Sequence, residues 1–345
     1  MQTWSRLSLS LCVLLSASPH APAAAAANVA TSTTNPVVTL PDGKVMGFVQ
    51  DNVAGFRGIP YAAPPLPSAN NNPNDSLRFK PPQPVTPWTS TLDATKFSPS
   101  CLQRGCAHTN TFPPTNKAWP TIDVSKCSED CLYANVYTPY PINTTGTTTN
   151  ATGDEENNGL LPVMVYFHAG EFRYGSSNDA ESNWPYFAKG RVILVTANVR
   201  LGLPGFAALD SLRVRDPSGS TGNYGMQDQR AVLQWVQRSI AAFGGDKNKV
   251  TIFGESSGGS SVAFHLSNKK SKGLFHRAIL ESPGLTQSHE WEAAEANTNM
   301  AIAALAAVCM HVCTYVCMYA HEALHSASPE LHLTLYEFES ASDVI

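Results

Sequence analysis

The sequence predicts an α/β fold, a mixed and mostly parallel sheet with helices on both faces. Three observations carry that expectation. Continuous apolar runs at residues 162–168 (PVMVYFH), 191–199 (RVILVTANV), 250–253 and 278–281 read as strands buried on both sides. Helical patterns alternate with them: residues 226–243 carry an apolar stripe of Val232, Leu233, Val236, Ile240 and Phe243, and residues 257–266 follow the third run. Alternation of this kind covers a parallel sheet from both faces. Between the third run and its helix stands a tight Gly-rich turn, Gly254-Glu255-Ser256-Ser257-Gly258.

In order along the sequence, residues 1–27 read as a leader. Arg6 precedes a short apolar run, 7–15, and alanines at 23–27 offer small residues to a peptidase, the parts of a secretory signal. The run is too short to span a bilayer. Secretion through the endoplasmic reticulum to the extracellular space is therefore expected. Eight cysteines less Cys12 leave seven, and four of them (Cys101, Cys106, Cys127, Cys131) cluster in one Pro-rich stretch, as disulfides in an oxidising compartment do. Asn74, Asn143 and Asn150 head Asn-x-Ser/Thr triplets in polar sequence and are expected glycan acceptors.

Short strands are expected at 37–40, 44–49 and 55–59, the first two joined by a hairpin turn at Asp42-Gly43. Residues 64–88 are dense in Pro and Asn, which excludes regular ladders there. Residues 143–159 lack apolar periodicity and read as a solvated loop. Gly244-Gly245 ends the long helix.

Charge narrows the function classes. The chain has 345 residues, 23 Lys+Arg against 27 Asp+Glu, a formal charge of −4, and 14% charged residues. A disordered polyampholyte and a polybasic nucleic-acid binder are both excluded by that balance.

The turn at 254–258 has the G-x-S-x-G form in the place where it acts as a nucleophile elbow, after a buried strand and before a helix. Glycines flank Ser256 because the bend is cramped, and the helix directs its positive end at the hydroxyl. The loop 168–172 (HAGEF) follows the PVMVYF strand, where hydrolases of this kind supply backbone N–H donors to an oxyanion, joined by the N–H after the nucleophile, here Ser257.

With these pieces in view, the chain resembles the type-B carboxylesterases, the family of cholinesterases and lipase-like esterases. The matching stretches are 56–65 (FRGIPYAAPP), 78–84 (RFKPPQP), 128–133 (SEDCLY), 198–206 (NVRLGLPGF), 222–229 (GNYGMQDQ), 243–259 (FGGDKNKVTIFGESSGG) and 275–282 (FHRAILES). They lie in family order over roughly residues 37 to 298. The resemblance implies an α/β-hydrolase fold, Ser256 as nucleophile, and Gly170, Glu171 and Ser257 as oxyanion donors. It implies Glu255 and Ser282 as elbow support, either taking part in catalysis or only holding the elbow as a buried polar pair. It also implies a disulfide between Cys101 and Cys131. Cys106 and Cys127 have no counterpart and are left to pair with each other. The implied activity is hydrolysis of small-molecule carboxylic esters through an acyl-enzyme, with no cofactor, no metal, no nucleic acid and no membrane partner. The acyl and alcohol preference is not readable. Trp119 either lines a substrate gorge or stacks within the Pro-rich loop.

Two departures stand out. Ala169 and Glu171 replace glycines of the oxyanion loop, at roughly 1–2 kcal/mol if position 171 needs a left-handed backbone. The larger departure concerns the relay. The acid and histidine of such a triad follow the serine at long range, yet only 89 residues come after Ser256 (345 − 256). His265, His276 and His289 do not fall on the family's histidine position. His311, His321, His325 and His332, with Glu322 and Glu330, lie in a Cys/Met/Ala-rich tail, 299–345, and read as incidental. The expected organisation is a leader (1–27), the N-terminal part of a carboxylesterase domain (28–298) and a divergent tail, so that the fold is expected to be truncated at its C-terminal side. The sheet then has an unpaired edge, a hazard for solubility. Loss of the base costs on the order of a millionfold in turnover. The alternative is a non-catalytic cholinesterase-like binding or adhesion protein, or an inactive fragment. Within the tail, 300–320 is apolar, with Cys309, Cys313 and Cys317 at i, i+4, i+8. A buried helix, a foreign tail and a membrane span all fit its length, whereas a metal site does not, since thiolates stacked along one helix do not converge.

Overall fold

The computed structural model describes residues 35–69, 75–103, 126–145, 147–149, 155–157, 159–179, 186–284 and 289–309. The leader, Asn74, Asn150, Cys106, Trp119 and everything after Cys309 lie outside the described residues.

Val37–Leu40 (β1) and Gly43–Met46 (β2) form the hairpin that Asp42-Gly43 signals, with Leu40 opposite Gly43. The expected strand 44–49 does not continue as one. It breaks at Gly47, and Phe48–Gln50 (β3) turns away to pair antiparallel with Val53–Pro60 (β4). Leu92–Asp93 (β5) adds to the β1–β2 sheet. Ser100–Cys101 (β6) runs beside Cys127–Ser128 (β7), next to a disulfide joining Cys101 to Cys131. Closing a loop of 30 residues in this way is worth about 3–4 kcal/mol. Cys127 is disulfide-bonded as well.

Tyr133–Pro139 (β8) is a strand that the apolar pattern does not predict, because Asn135 and Thr138 interrupt it. Both are buried and bonded: Asn135 Nδ2 donates to the Ser177 carbonyl and the Thr196 hydroxyl, and the Thr138 hydroxyl donates to the Phe243 carbonyl. The stretch expected to be a loop, 143–159, contains a short antiparallel pair, Thr147–Thr149 (β9) and Glu155–Asn157 (β10). Its three threonines favour a strand although none supplies an apolar face.

Leu161–Phe167 (β11), Tyr186–Lys189 (α1), Ile193–Ala197 (β12), Gly202–Phe206 (α2), Tyr224–Ser239 (α3), Gly245–Glu255 (β13), Ser257–Ser267 (α4), Arg277–Glu281 (β14) and Trp291–Cys309 (α5) complete the order. The main sheet runs β14-β13-β11-β12-β8-β4-β3, parallel through its first four strands and antiparallel beyond. Both faces are covered. Val163, Val165, Ile193 and Ile252 pack against Val232, Trp235 and Val236 of α3 and Val262 of α4, while Tyr166, Leu194 and Phe253 pack against Ala188 of α1 on the reverse. The stripe 232–243 is wholly buried, and each of its apolar residues contributes roughly 1.5–3 kcal/mol. Gly244, at φ 83°, takes the left-handed turn that stops the helix.

α5 starts nine residues before the apolar stretch at 300 and docks on the body. Ile302 is buried with Phe79, Leu212 and Tyr224, the Thr298 hydroxyl accepts from the Ala208 N–H at 3.0 Å, and Arg213 lies 4.0 Å from the Trp291 ring centre. Among the described residues no helix is long and apolar enough to cross a membrane. β14 is the sheet edge among the described strands, and it leaves Ile279 and Leu280 exposed at 42% and 37%, a surface open to strand pairing.

Candidate active site

β11 and β13 are parallel neighbours with Phe167 opposite Gly254, so the loops after them leave the sheet side by side. This close approach sets the residue types at the bend. A Cβ on Gly254 would sit 2.6 Å from the Gly258 carbonyl carbon and 2.7 Å from the Phe167 oxygen, and one on Gly258 would run into that same oxygen. Only glycine fits either place. The bend itself falls on Ser256, at φ 55° and ψ −121°, a conformation L-residues avoid and one that concentrates at functional turns. The Ser256 N–H donates to the Glu281 carbonyl at 2.9 Å, and its own carbonyl accepts from the Ser260 N–H and hydroxyl. The backbone is thus clamped on both sides. Ser256 is the N-cap residue of α4, but its side chain makes no capping bond. The hydroxyl is held at the positive end of an eleven-residue helix, whose first N–H groups, beginning with Ser257, have no intrahelical acceptor.

The loop after β11 has three successive positive φ angles: Gly170 at 119°, Glu171 at 55° and Phe172 at 60°. The N–H groups of Arg173 and Tyr174 both close on the Gly170 carbonyl, at 2.9 and 3.0 Å. Phe172 accepts from the Gly202 N–H at 2.7 Å and stacks 5.3 Å from Phe206, which ties the loop to α2. Glu171 therefore does occupy a left-handed position, and its side chain is exposed. Burial first, and the Glu171 carboxylate second, raise the Tyr174 phenol, against the opposing charge of Arg173. Replacing Glu171 with Gly is expected to raise stability by about 1 kcal/mol, because the strain relieved exceeds the added backbone entropy of glycine. A urea midpoint that falls in Glu171→Gly would refute this.

A buried polar frame holds the loop from behind. Asn198 Oδ1 accepts from the Ser177 N–H at 2.8 Å and the Ser176 hydroxyl at 3.1 Å, and its Nδ2 donates to the Pro99 carbonyl at 3.0 Å. The sequence motifs assign Asn198 and Asn135 no role. The available signal is an amide at the end of the apolar run 191–199, which marks Asn198; Asn135 sits in no such run. Glu255 and Ser282 are both exposed, with no hydrogen bond between them among the described residues, so the buried polar pair considered for them is not formed. The cause is position: Ser282 follows β14, the edge strand, and nothing described covers the elbow from that side.

None of the described histidines is hydrogen-bonded to Ser256. The His168 Nδ1 lies 2.8 Å from the Ala169 carbonyl, which assigns the ring proton to that nitrogen, and burial lowers its pKa despite the bond. His265 stands between the Ser271 hydroxyl at 2.9 Å and the Gln229 side-chain oxygen at 3.1 Å. Burial, and then the charge of Arg230, hold it down to about 3. With the unfolded pKa at about 6.5, this neutral histidine contributes fully above that pH, and its contribution is lost as pH falls from about 6.5 toward 3. At pH 5 the protein is expected to be about 2 kcal/mol less stable than at pH 7.5 on this account. His265→Gln should flatten that slope in urea titrations; parallel losses in both proteins would dismiss His265 as the cause. His276 Nδ1 accepts from the Val250 N–H at 3.4 Å, and His289 is exposed. Among the described residues no His/Cys/Asp/Glu group is arranged to hold a metal. A narrow, partly open pocket lies beside the disulfide, lined by Arg78, Phe79, Glu129, Cys131 and Leu201. It contains no residue of the elbow and is not the reaction centre.

With elbow and loop in place, comparison with known proteins decides the family. The sequence matches the Carboxylesterase family over residues 34–325. The chain belongs to that family. Carboxylesterase 1F of Mus musculus is 41% identical over 257 residues, which are 72% of this chain and 40% of the mouse protein. Para-nitrobenzyl esterase of Bacillus subtilis (strain 168) is 37% identical over 250 residues, 72% of this chain and 44% of the bacterial one. The fold agrees as well: a solved PNB esterase superposes at a TM-score of 0.63 with 33% identity, covering 86% of this chain and 52% of that one. This carboxylesterase-family chain thus spans under half the length of these two curated relatives and about half of the solved structure.

Proposed function

We propose that Ser256 is the nucleophile of a carboxylic-ester hydrolase that acts through an acyl-enzyme. The observation that carries this reading is the elbow, a non-glycine residue held at φ 55° and ψ −121° with its hydroxyl not used in capping the helix that follows. Family membership and the named esterases among the relatives support it. In the proposed reaction the Ser256 oxygen attacks the ester carbonyl carbon and gives its proton to a base. The carbonyl oxygen, now an oxyanion, meets the N–H groups of Gly170, Glu171 and Ser257. Collapse breaks the bond to the alcohol, which leaves with the proton, and water then cleaves the acyl-serine to release the acid.

Among the described residues no histidine or carboxylate is hydrogen-bonded to Ser256, so the base in this reading comes from outside them. The proposed setting is extracellular. The leader, the Cys101–Cys131 disulfide and the triplet at Asn143, whose Oδ1 accepts from the Thr145 N–H, support that setting. Substrates are small-molecule esters. The test is covalent capture with a fluorophosphonate, mapped by peptide mass spectrometry. Modification on the peptide carrying Ser256 is expected in protein that includes its histidine base. Absence of modification in such protein, correctly folded and binding a partner without turnover, favours the non-catalytic relative instead.

A further inference from the structure

The end of the sheet opposite Ser256 carries a concentration of positive charge that ester hydrolysis does not use. Lys247 and Lys249 lie near the start of β13, Arg277 begins β14, and Lys269, Lys270 and Lys272 occupy the turn that joins α4 to β14. All six are exposed. Tertiary contacts, not sequence alone, bring them together. One side-chain nitrogen, Gln237 Nε2, donates to the carbonyls of both Lys247 and Leu274 at 2.9 Å. The His276 N–H donates to the Val250 carbonyl at 2.8 Å, and Arg277 stands opposite Thr251. The turn itself is fixed, since the Asn268 side chain accepts from the Lys270 N–H and the buried Ser271 hydroxyl lies 2.9 Å from His265. Asp246 lies 3.2 Å from Lys249, the acidic run 154–156 leads into Gly159 beside the same lysine, and the other five cations form no ion pair among the described residues. A protein of net charge −4 thus presents six exposed cationic groups on neighbouring segments.

We propose that this surface binds a linear acidic polysaccharide. Unpaired exposed lysines gathered at one place attract a polyanion by charge and counterion release while making few shape-specific contacts. The disulfide at Cys101–Cys131 belongs to an oxidising compartment, where sulfated and carboxylated glycans are the polyanions at hand, not nucleic acid or the anionic cytoplasmic leaflet. Lys249 and Glu255 stand six positions apart on β13, about 20 Å of strand, so a glycan held here leaves the mouth above Ser256 open. The surface tethers; it does not present substrate.

Heparin is the probe. The full chain is expected to bind it and to lose that binding steeply between about 50 and 200 mM salt. The triple reversal Lys269→Glu, Lys270→Glu, Lys272→Glu should weaken binding by about tenfold or more. A charge-matched control on exposed lysines elsewhere, Lys44→Glu, Lys96→Glu, Lys189→Glu, should change it by less than about twofold. Unchanged melting curves confirm that the variants are folded, and the corresponding Lys→Gln set provides a second version. No retention on heparin, equal losses in patch and control variants, or tighter binding to phosphatidylserine vesicles or duplex DNA than to heparin would overturn the proposal.

Discussion

Ser256→Ala is expected to lower ester turnover about a millionfold in protein that carries its histidine base, and to remove all covalent phosphonate labelling. The magnitude follows from what remains. On the proposed assignment the N–H groups of Gly170, Glu171 and Ser257 remain as oxyanion donors, which leaves the modest catalysis that binding and such donors provide by themselves. The substitution is also expected to leave the fold intact, because Ser256 is held through its N–H on Glu281 and its carbonyl on Ser260, and alanine keeps both bonds. Hydrolysis of a chromogenic acetate, with and without the substitution, measures the loss. No described histidine is hydrogen-bonded to Ser256, and His265 is held between Gln229 and Ser271. Turnover that survives Ser256→Ala would overturn the assignment of the nucleophile.

The second large effect concerns stability. Asp228 is fully buried on α3, and its carboxylate takes three N–H groups of Arg200: the backbone at 3.0 Å, Nε at 2.8 Å and Nη2 at 2.7 Å. Burial would lower the Arg200 pKa, yet the adjacent carboxylate more than offsets this and raises it. Asp228→Ala strands a buried guanidinium and is expected to cost about 3–5 kcal/mol, a large share of the roughly 5–15 kcal/mol typical of a domain. Urea unfolding measures it. Replacing both partners, Arg200→Met with Asp228→Leu, should cost less than Asp228→Ala alone, because no charge is left unpaired. A double variant less stable than the single one would contradict the desolvation argument. The loop after β11 should feel the single substitution too, since Gly202, two residues after Arg200, donates to the Phe172 carbonyl.

Much of this molecule is legible in its residues, and the reasons are local. The strands at 161–167 and 193–197 announce themselves as apolar runs, and the 232–243 stripe as a helix face, because solvent exclusion writes itself into periodicity. The run at 278–281 is a strand too, but it is exposed at the described sheet edge and not buried on both sides as its apolar residues imply. Ser256 is legible because a cramped bend admits glycine on either side and little else. Strand β8 escapes notice because its buried polar groups are satisfied by Ser177, Thr196 and Phe243, residues 42 to 105 positions away. The division of 43–50 between two sheets escapes for a related reason, since partner choice depends on where β4 and β5 lie.

The sequence by itself determined the strand–elbow–helix unit, the glycines that permit it and the disulfide implied by the family, since each depends on near neighbours or on motifs of fixed spacing. Only the tertiary structure decided that Glu171 adopts a left-handed backbone with its carboxylate outward, that Glu255 and Ser282 stay exposed and unpaired, and that six scattered cations stand exposed on neighbouring segments. Those outcomes are set by hydrogen bonds, exposure and proximity between segments far apart in sequence, quantities that no window of consecutive residues holds.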